Sequence, residues 1–93
     1  MKLPIMYNKS SPKKRREARE EYIKIQEGKC SFCNELLIHD PSNEVLSKPI
    51  DLRLFPKGMF NHPVHLHHDH KTDLTIGAVH ARCNAYLWQY KGE

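Results

Sequence analysis

Apolar and polar positions along this chain change period three times, and each change predicts an element. Between residues 11 and 28 Ala18, Tyr22 and Ile25 recur at i, i+4 and i+7, an inward stripe on an amphipathic helix. Ser11 is placed as its N-cap, Pro12 suits the first helical position, and Gly28 is a good stop. Residues 1–10 show neither period and read as a flexible arm. From 34 to 63 the pattern is irregular, punctuated by Pro41, Pro49, Pro56, Gly58 and Pro63, and it reads as an inserted loop or hairpin. Within it "EVLS" and "IDLRLF" are candidate short strands. "VHLHH" then alternates as a strand, "LTIGAV" as a second strand joined to it through residues 71–73, and "ARCNAYLWQYK" returns to helical spacing. The last third is therefore strand, strand, helix over residues 64–91, in one domain spanning 1–93.

Composition says that apolar burial alone is a thin basis for this fold. A 93-residue chain buries only about 60–65% of its unfolded surface. Its hydrophobic content is 39%, and exchanging the four Tyr for the four Gly in that count leaves it below the roughly 45–50% of ordinary domains. A metal is the usual supplement in so small a domain. Three cysteines, an odd number, argue against a closed disulfide framework. No apolar stretch is long enough for a signal peptide or a membrane span, so an intracellular, reducing setting is expected.

The cysteines have the spacing of a metal site. Cys30 and Cys33 form a C-x-x-C pair after the helix stop, and His80 and Cys83 repeat the two-residue spacing at the start of the last helix. Four soft ligands in two knuckles suit tetrahedral Zn²⁺, and this layout is that of a treble-clef finger. A redox C-x-x-C is the weaker alternative, because such a pair normally opens a helix rather than following one. His65 is a less regular substitute for His80.

The histidines exceed what one zinc site requires: five of the seven, His62, His65, His67, His68 and His70, fall within nine residues. Imidazoles in that number suit proton transfer near neutral pH. The run His65-Leu66-His67-His68-Asp69-His70, followed by Gly77-Ala78-Val79-His80-Ala81-Arg82-Cys83-Asn84 and preceded by "GKCSFC", resembles the HNH (ββα-metal) endonucleases. The likeness is strongest to their zinc-bearing branch, typified by phage endonuclease VII, and covers residues 28–34 and 65–87. It implies an α+β fold, a small treble-clef zinc finger or ββα-metal fold preceded by a basic N-terminal helix. It further implies metal-dependent DNA hydrolysis, by nicking or cleavage, with His68 as the general base and His67 and Asn84 holding one catalytic divalent ion. This chain has His67 where the family usually has Asp, which makes Mn²⁺, Ni²⁺ or Zn²⁺ competitive with Mg²⁺, and His80 where it has Cys. The resemblance also suggests a phage-encoded protein acting in the cytoplasm of a bacterial host.

Strand alternation complicates the pairing of His67 with His68, since neighbours in a strand point to opposite faces unless a bulge intervenes. Asp69 as a metal ligand and His70 as a phosphate partner therefore stand beside them. The net charge of +4 and pI near 9.1 have the sign expected of a DNA partner, with Lys13, Lys14, Arg15, Arg16 and Arg82 as phosphate contacts and no membrane partner. His39 and His62 read as surface or loop residues. Phe32, Tyr86, Trp88 and Tyr90 read as packing around the zinc, with stacking on an unpaired base as the other use of an exposed aromatic. A monomer or weak dimer is expected. The competing reading is a non-catalytic, zinc-stabilised module that binds DNA or protein.

Overall fold

A computed structural model describes all 93 residues. Its order is α1 (Pro12–Ile25), a short α2 (Asn43–Leu46), a 3-10 turn (Leu52–Leu54), β1 (Val64–His68), β2 (Thr75–His80) and α3 (Ala81–Lys91). The architecture is α+β: a two-stranded antiparallel sheet with α1 and α3 packed against it.

The final ββα unit matches the elements expected from the sequence. β1 pairs with β2 from Val64 opposite His80 to His67 opposite Gly77, and then slips so that His68 meets Thr75. That irregularity leaves Ile76 without a partner and falls between the two histidines that strict alternation would separate. The chain passes from His80 straight into α3, so the start of the helix lies beside the start of β1.

α1 begins as expected, with the Ser11 hydroxyl accepting from Lys14 N at 3.1 Å. Its inward stripe differs at one position. Ala18 and Tyr22 are buried, but Ile25 is 63% exposed and Ile23 packs on the core in its place. The helix ends there at Gln26, whose carboxamide takes over the pairing. Gln26 Oε1 accepts from Ala78 N at 2.9 Å and Nε2 donates to Ala78 O at 2.9 Å, so the side chain acts as a strand partner for β2. Gly77 makes room for this contact, because a Cβ there would lie 2.8 Å from both Gln26 Oε1 and Ser31 Oγ. Gly77→Ala is expected to cost about 1–3 kcal/mol through overpacking, read as a lowered denaturant midpoint at unchanged slope.

Two segments correct the expectations. Residues 1–10 are not a loose arm: Ile5 is buried and donates to Thr75 Oγ1 at 3.0 Å, Met6 bridges Leu74, and Tyr7 N donates to Asp73 O at 2.8 Å. Residues 73–75, where the chain leaves the turn and enters β2, supply these partners, which lie almost 70 residues away and leave no local periodicity. The 34–63 segment is a loop with two short helical turns rather than a hairpin, and neither "EVLS" nor "IDLRLF" forms a strand. It wraps α3, with Val45 in the core, Arg82 donating to Lys48 O at 3.0 Å and Gln89 Nε2 donating to Pro49 O at 3.2 Å. Arg82, expected on phosphate, is thus committed to holding this loop. No helix is long and apolar enough to cross a membrane.

Candidate metal centre and the adjoining cleft

Cys30, Cys33, His80 and Cys83 bring four ligand atoms within 4.8 Å of one another. Cys30 and Cys33 sit on a tight turn after α1, where Lys29 bridges Leu36 and the left-handed Asn34 reverses the chain. His80 ends β2 and Cys83 lies in the first turn of α3. The Nδ1 atom of His80 is 3.5 Å from Sγ of both Cys33 and Cys83. Bonds of about 2.3 Å to sulfur and about 2.0–2.1 Å to nitrogen on a tetrahedral Zn²⁺ put those atoms about 3.5 Å apart, so the spacing fits the ion. On the far side of the ring Nε2 lies 3.0 Å from Leu36 O and 2.9 Å from His39 O. Carbonyls only accept, so the proton is held on Nε2 and the Nδ1 lone pair faces the cluster, the outer-shell arrangement that metal-binding imidazoles use.

The thiols favour a cation in the same way. A hydrogen bond from Cys83 is the main influence drawing Cys30 down to about 4, while Cys30 in turn pushes Cys83 well up. The Cys30 thiolate is stabilised by the Cys83 S–H and by backbone N–H groups of Cys33, His80 and Phe32, and it opposes ionisation of Cys83, an opposition that a divalent cation removes. The Cys3His cluster can therefore hold zinc. Phe32 and Tyr86, with ring centroids 5.6 Å apart, pack beside it, and Tyr90 lies 5.3 Å from Tyr86. Trp88 does not, and meets Phe55 instead at 5.5 Å.

A second feature adjoins the cluster. A cleft of about 510 Å³ runs along the unpaired edge of β1, between α1 and α3. His62, His65, His68, His70, Asn84, Arg15 and Arg19 line it with Tyr7, and no lining residue is acidic. Position at the edge of a two-stranded sheet lets side chains from both faces of β1 reach one space, and the slip at His67/His68 adds to this. His68 stacks on Tyr7, rings 3.9 Å apart and 5° from parallel, and the Arg15 guanidinium lies 4.4 Å from the centre of the Tyr7 ring. His70 meets the edge of His68 at 4.8 Å. Burial is the main cause that holds His68 below the ordinary imidazole range, with the neighbouring His70 next, so it favours the neutral, proton-accepting form.

Not every expected residue reaches this cleft. Asn84 meets His65, at 3.1 Å between Nδ2 and Nδ1, rather than the His67 expected to share an ion with it. The Val64–His80 pairing places the first turn of α3 beside the start of β1, where His65 lies, whereas His67 is further along the strand and buried. His67 is 6% exposed and lines none of the cleft, with Nε2 sealed from solvent and unpartnered. Asp69 Oδ1 accepts from Lys71 N at 2.7 Å and Thr72 N at 3.1 Å, which commits it to the turn between the strands. Of the basic run only Arg15 enters the cleft; Lys13 and Arg16 are exposed elsewhere on α1, and Lys14 lies in a separate groove with Lys2 and Lys9.

Arg19 and Tyr7 were not singled out from the sequence, His65 was named only as a substitute zinc ligand, and His62, read as a surface or loop residue, lines the cleft as well. His65 shares the strand parity of His67, and Arg19 lies one helical turn beyond Arg15, so both carried a signal. Tyr7 carried none, because it reaches His68 only through the docking of residues 5–8 on the β2 side of the hairpin. Compared with protein-family models, with curated proteins and with solved structures, the chain matches none.

Proposed function

We propose that this protein is a metal-dependent DNA endonuclease of the HNH type, built on a treble-clef zinc core, that nicks or cleaves DNA by phosphodiester hydrolysis. The observation that carries this reading is the cleft: four imidazoles, one carboxamide and two guanidiniums with no carboxylate among them. Such a lining favours a phosphate, and Arg15 and Arg19 give it a fixed positive charge. His68, its ring fixed by Tyr7, accepts the proton of the attacking water, and His70 beside it contacts the phosphate. Cys83 and His80, holding zinc, would fix the first turn of α3 and so the position of Asn84, the residue after Cys83.

His65 and Asn84 would hold a divalent ion at the cleft. Turning the Asn84 carboxamide by half a rotation presents Oδ1 and the His65 Nδ1 lone pair side by side at 3.1 Å. That is close to the separation of neighbouring ligands on an octahedral ion with bonds of about 2.1 Å. When bound, such an ion supplies Lewis-acid stabilisation of charge on the phosphate. His67, buried away from the cleft, would have to turn outward to join it.

One observation favours the non-catalytic reading, a zinc-stabilised module that binds DNA or protein. Only the Cys3His residues converge as three or more His, Cys, Asp or Glu ligands, so no preformed cage surrounds a cleft ion. Incubation of supercoiled plasmid with the protein and Mg²⁺, Mn²⁺, Ni²⁺ or Zn²⁺ in turn separates the two. Relaxation that requires an added ion, while bound zinc stays constant, is the expected result; DNA binding without cutting under every ion leaves the binding module.

A further inference from the structure

A smaller pocket of about 270 Å³ opens beside the cleft and shares His70 and Asn84 with it. Its remaining lining differs sharply in chemistry: Leu54, Phe55, Met59 and Trp88 form the walls, and Glu93 is its only charged group. Trp88 is 44% exposed and Phe60 40%, with Phe55 set edge-on to both at 5.5 Å and 6.3 Å. These rings make no contact with the Phe32–Tyr86 pair beside the zinc ligands, and Trp88 and Phe60 each leave two-fifths or more of their surface exposed.

We propose that this pocket takes the unpaired base of the nucleotide whose phosphate lies in the cleft, with Trp88 as the stacking platform, so that the substrate is single-stranded or locally unpaired DNA. The proposal rests on the phosphate reading of the cleft. Two lines of argument commit the pocket to a base. Charge divides the two spaces: the cleft carries Arg15 and Arg19 and no acid, which suits a phosphate, whereas the pocket carries a carboxylate and no Lys or Arg, which suits a neutral ring. Continuity sets the reach, because a base hangs on the sugar next to its phosphate and the two spaces meet at His70 and Asn84. A base inside a duplex is stacked on both faces and cannot enter, so pocket and helix compete for it. Exposed aromatic faces accept any base by stacking and therefore carry little sequence preference.

Trp88 is the sole tryptophan, so its emission reports the pocket without labelling. The zinc-loaded protein, without added divalent ion, is titrated with a thymidine dodecamer, the same strand annealed to its complement, and a dodecamer of abasic sugar-phosphates. The single strand is expected to quench Trp88 and to bind about 5- to 150-fold more tightly than the abasic chain, the range that one stacked base supplies. Trp88→Ala should reduce affinity for the thymidine strand by a similar factor and leave the abasic chain unaffected, while Trp88→Phe keeps most of the affinity. Equal quenching by duplex and single strand, or single-strand binding without quenching, overturns the base pocket while leaving the endonuclease reading standing. Emission that changes with protein concentration alone shows a second copy on this face and overturns it as well. Failure of all three DNAs to bind removes the phosphate reading together with the pocket.

Discussion

Removing zinc from the Cys30, Cys33, His80 and Cys83 cluster is expected to unfold the protein. The cluster joins the turn after α1, the end of β2 and the start of α3, three elements that otherwise share a core of eleven buried residues, two of which are ligands themselves. Structural zinc contributes apparent folding energies of about 10–16 kcal/mol in small fingers, and whole domains are stable by only about 5–15 kcal/mol. The metal contribution is therefore of the same size as the entire margin. Chelation at neutral pH under reducing conditions should collapse amide dispersion and far-ultraviolet ellipticity, and one equivalent of Zn²⁺ should restore both. Cys83→Ala should reproduce the metal-free state, because Cys83 is fully buried and Ala offers no ligand. Persistence of native amide dispersion in demonstrably metal-free protein would exclude a folding role for the cluster.

The second large effect is catalytic. His68→Ala is expected to slow plasmid nicking by about 10²–10⁴-fold, the usual contribution of a positioned general base. The folded state should survive, because His68 is only half-buried at the cleft and its chief contact, the stack on Tyr7, is worth about 0.5–1.5 kcal/mol. Zinc content and the thermal midpoint measured on the same preparation check that survival. A variant that cuts as fast as the parent would transfer the base role to another imidazole, with His70 next in reach at 4.8 Å. His67→Ala provides the contrast. Its ring is buried and outside the cleft, so its removal should appear first as lost stability.

Much of the local structure was legible in the residue pattern. Period-two alternation over Val64–His68, the break at residues 71–73 and the return of helical spacing after His80 located the hairpin and α3, because each of those elements takes its order from neighbours in sequence. The metal cluster was equally legible, since two-residue spacing at Cys30/Cys33 and at His80/Cys83 is what a knuckle geometrically requires. Failures came where partners are distant. Residues 1–10 gain their order from Asp73, Leu74 and Thr75, and the 34–63 loop gains its order from α3, so neither displayed a period of its own.

Sequence by itself determined which chemistry this protein carries: three thiols and an imidazole for a metal, a surplus of imidazoles beside them, and a positive charge. Tertiary structure decided which of those imidazoles can act together. β1 lies at the free edge of its sheet, so His65 and His68, which alternation sends to opposite faces, open on one cleft, while His67 is buried away from it. The pairing of Val64 with His80, which leads directly into α3, then brings Asn84 to His65. Spacing along a chain records what a residue is and which way it points within its element, but the register between packed elements is set by their contacts.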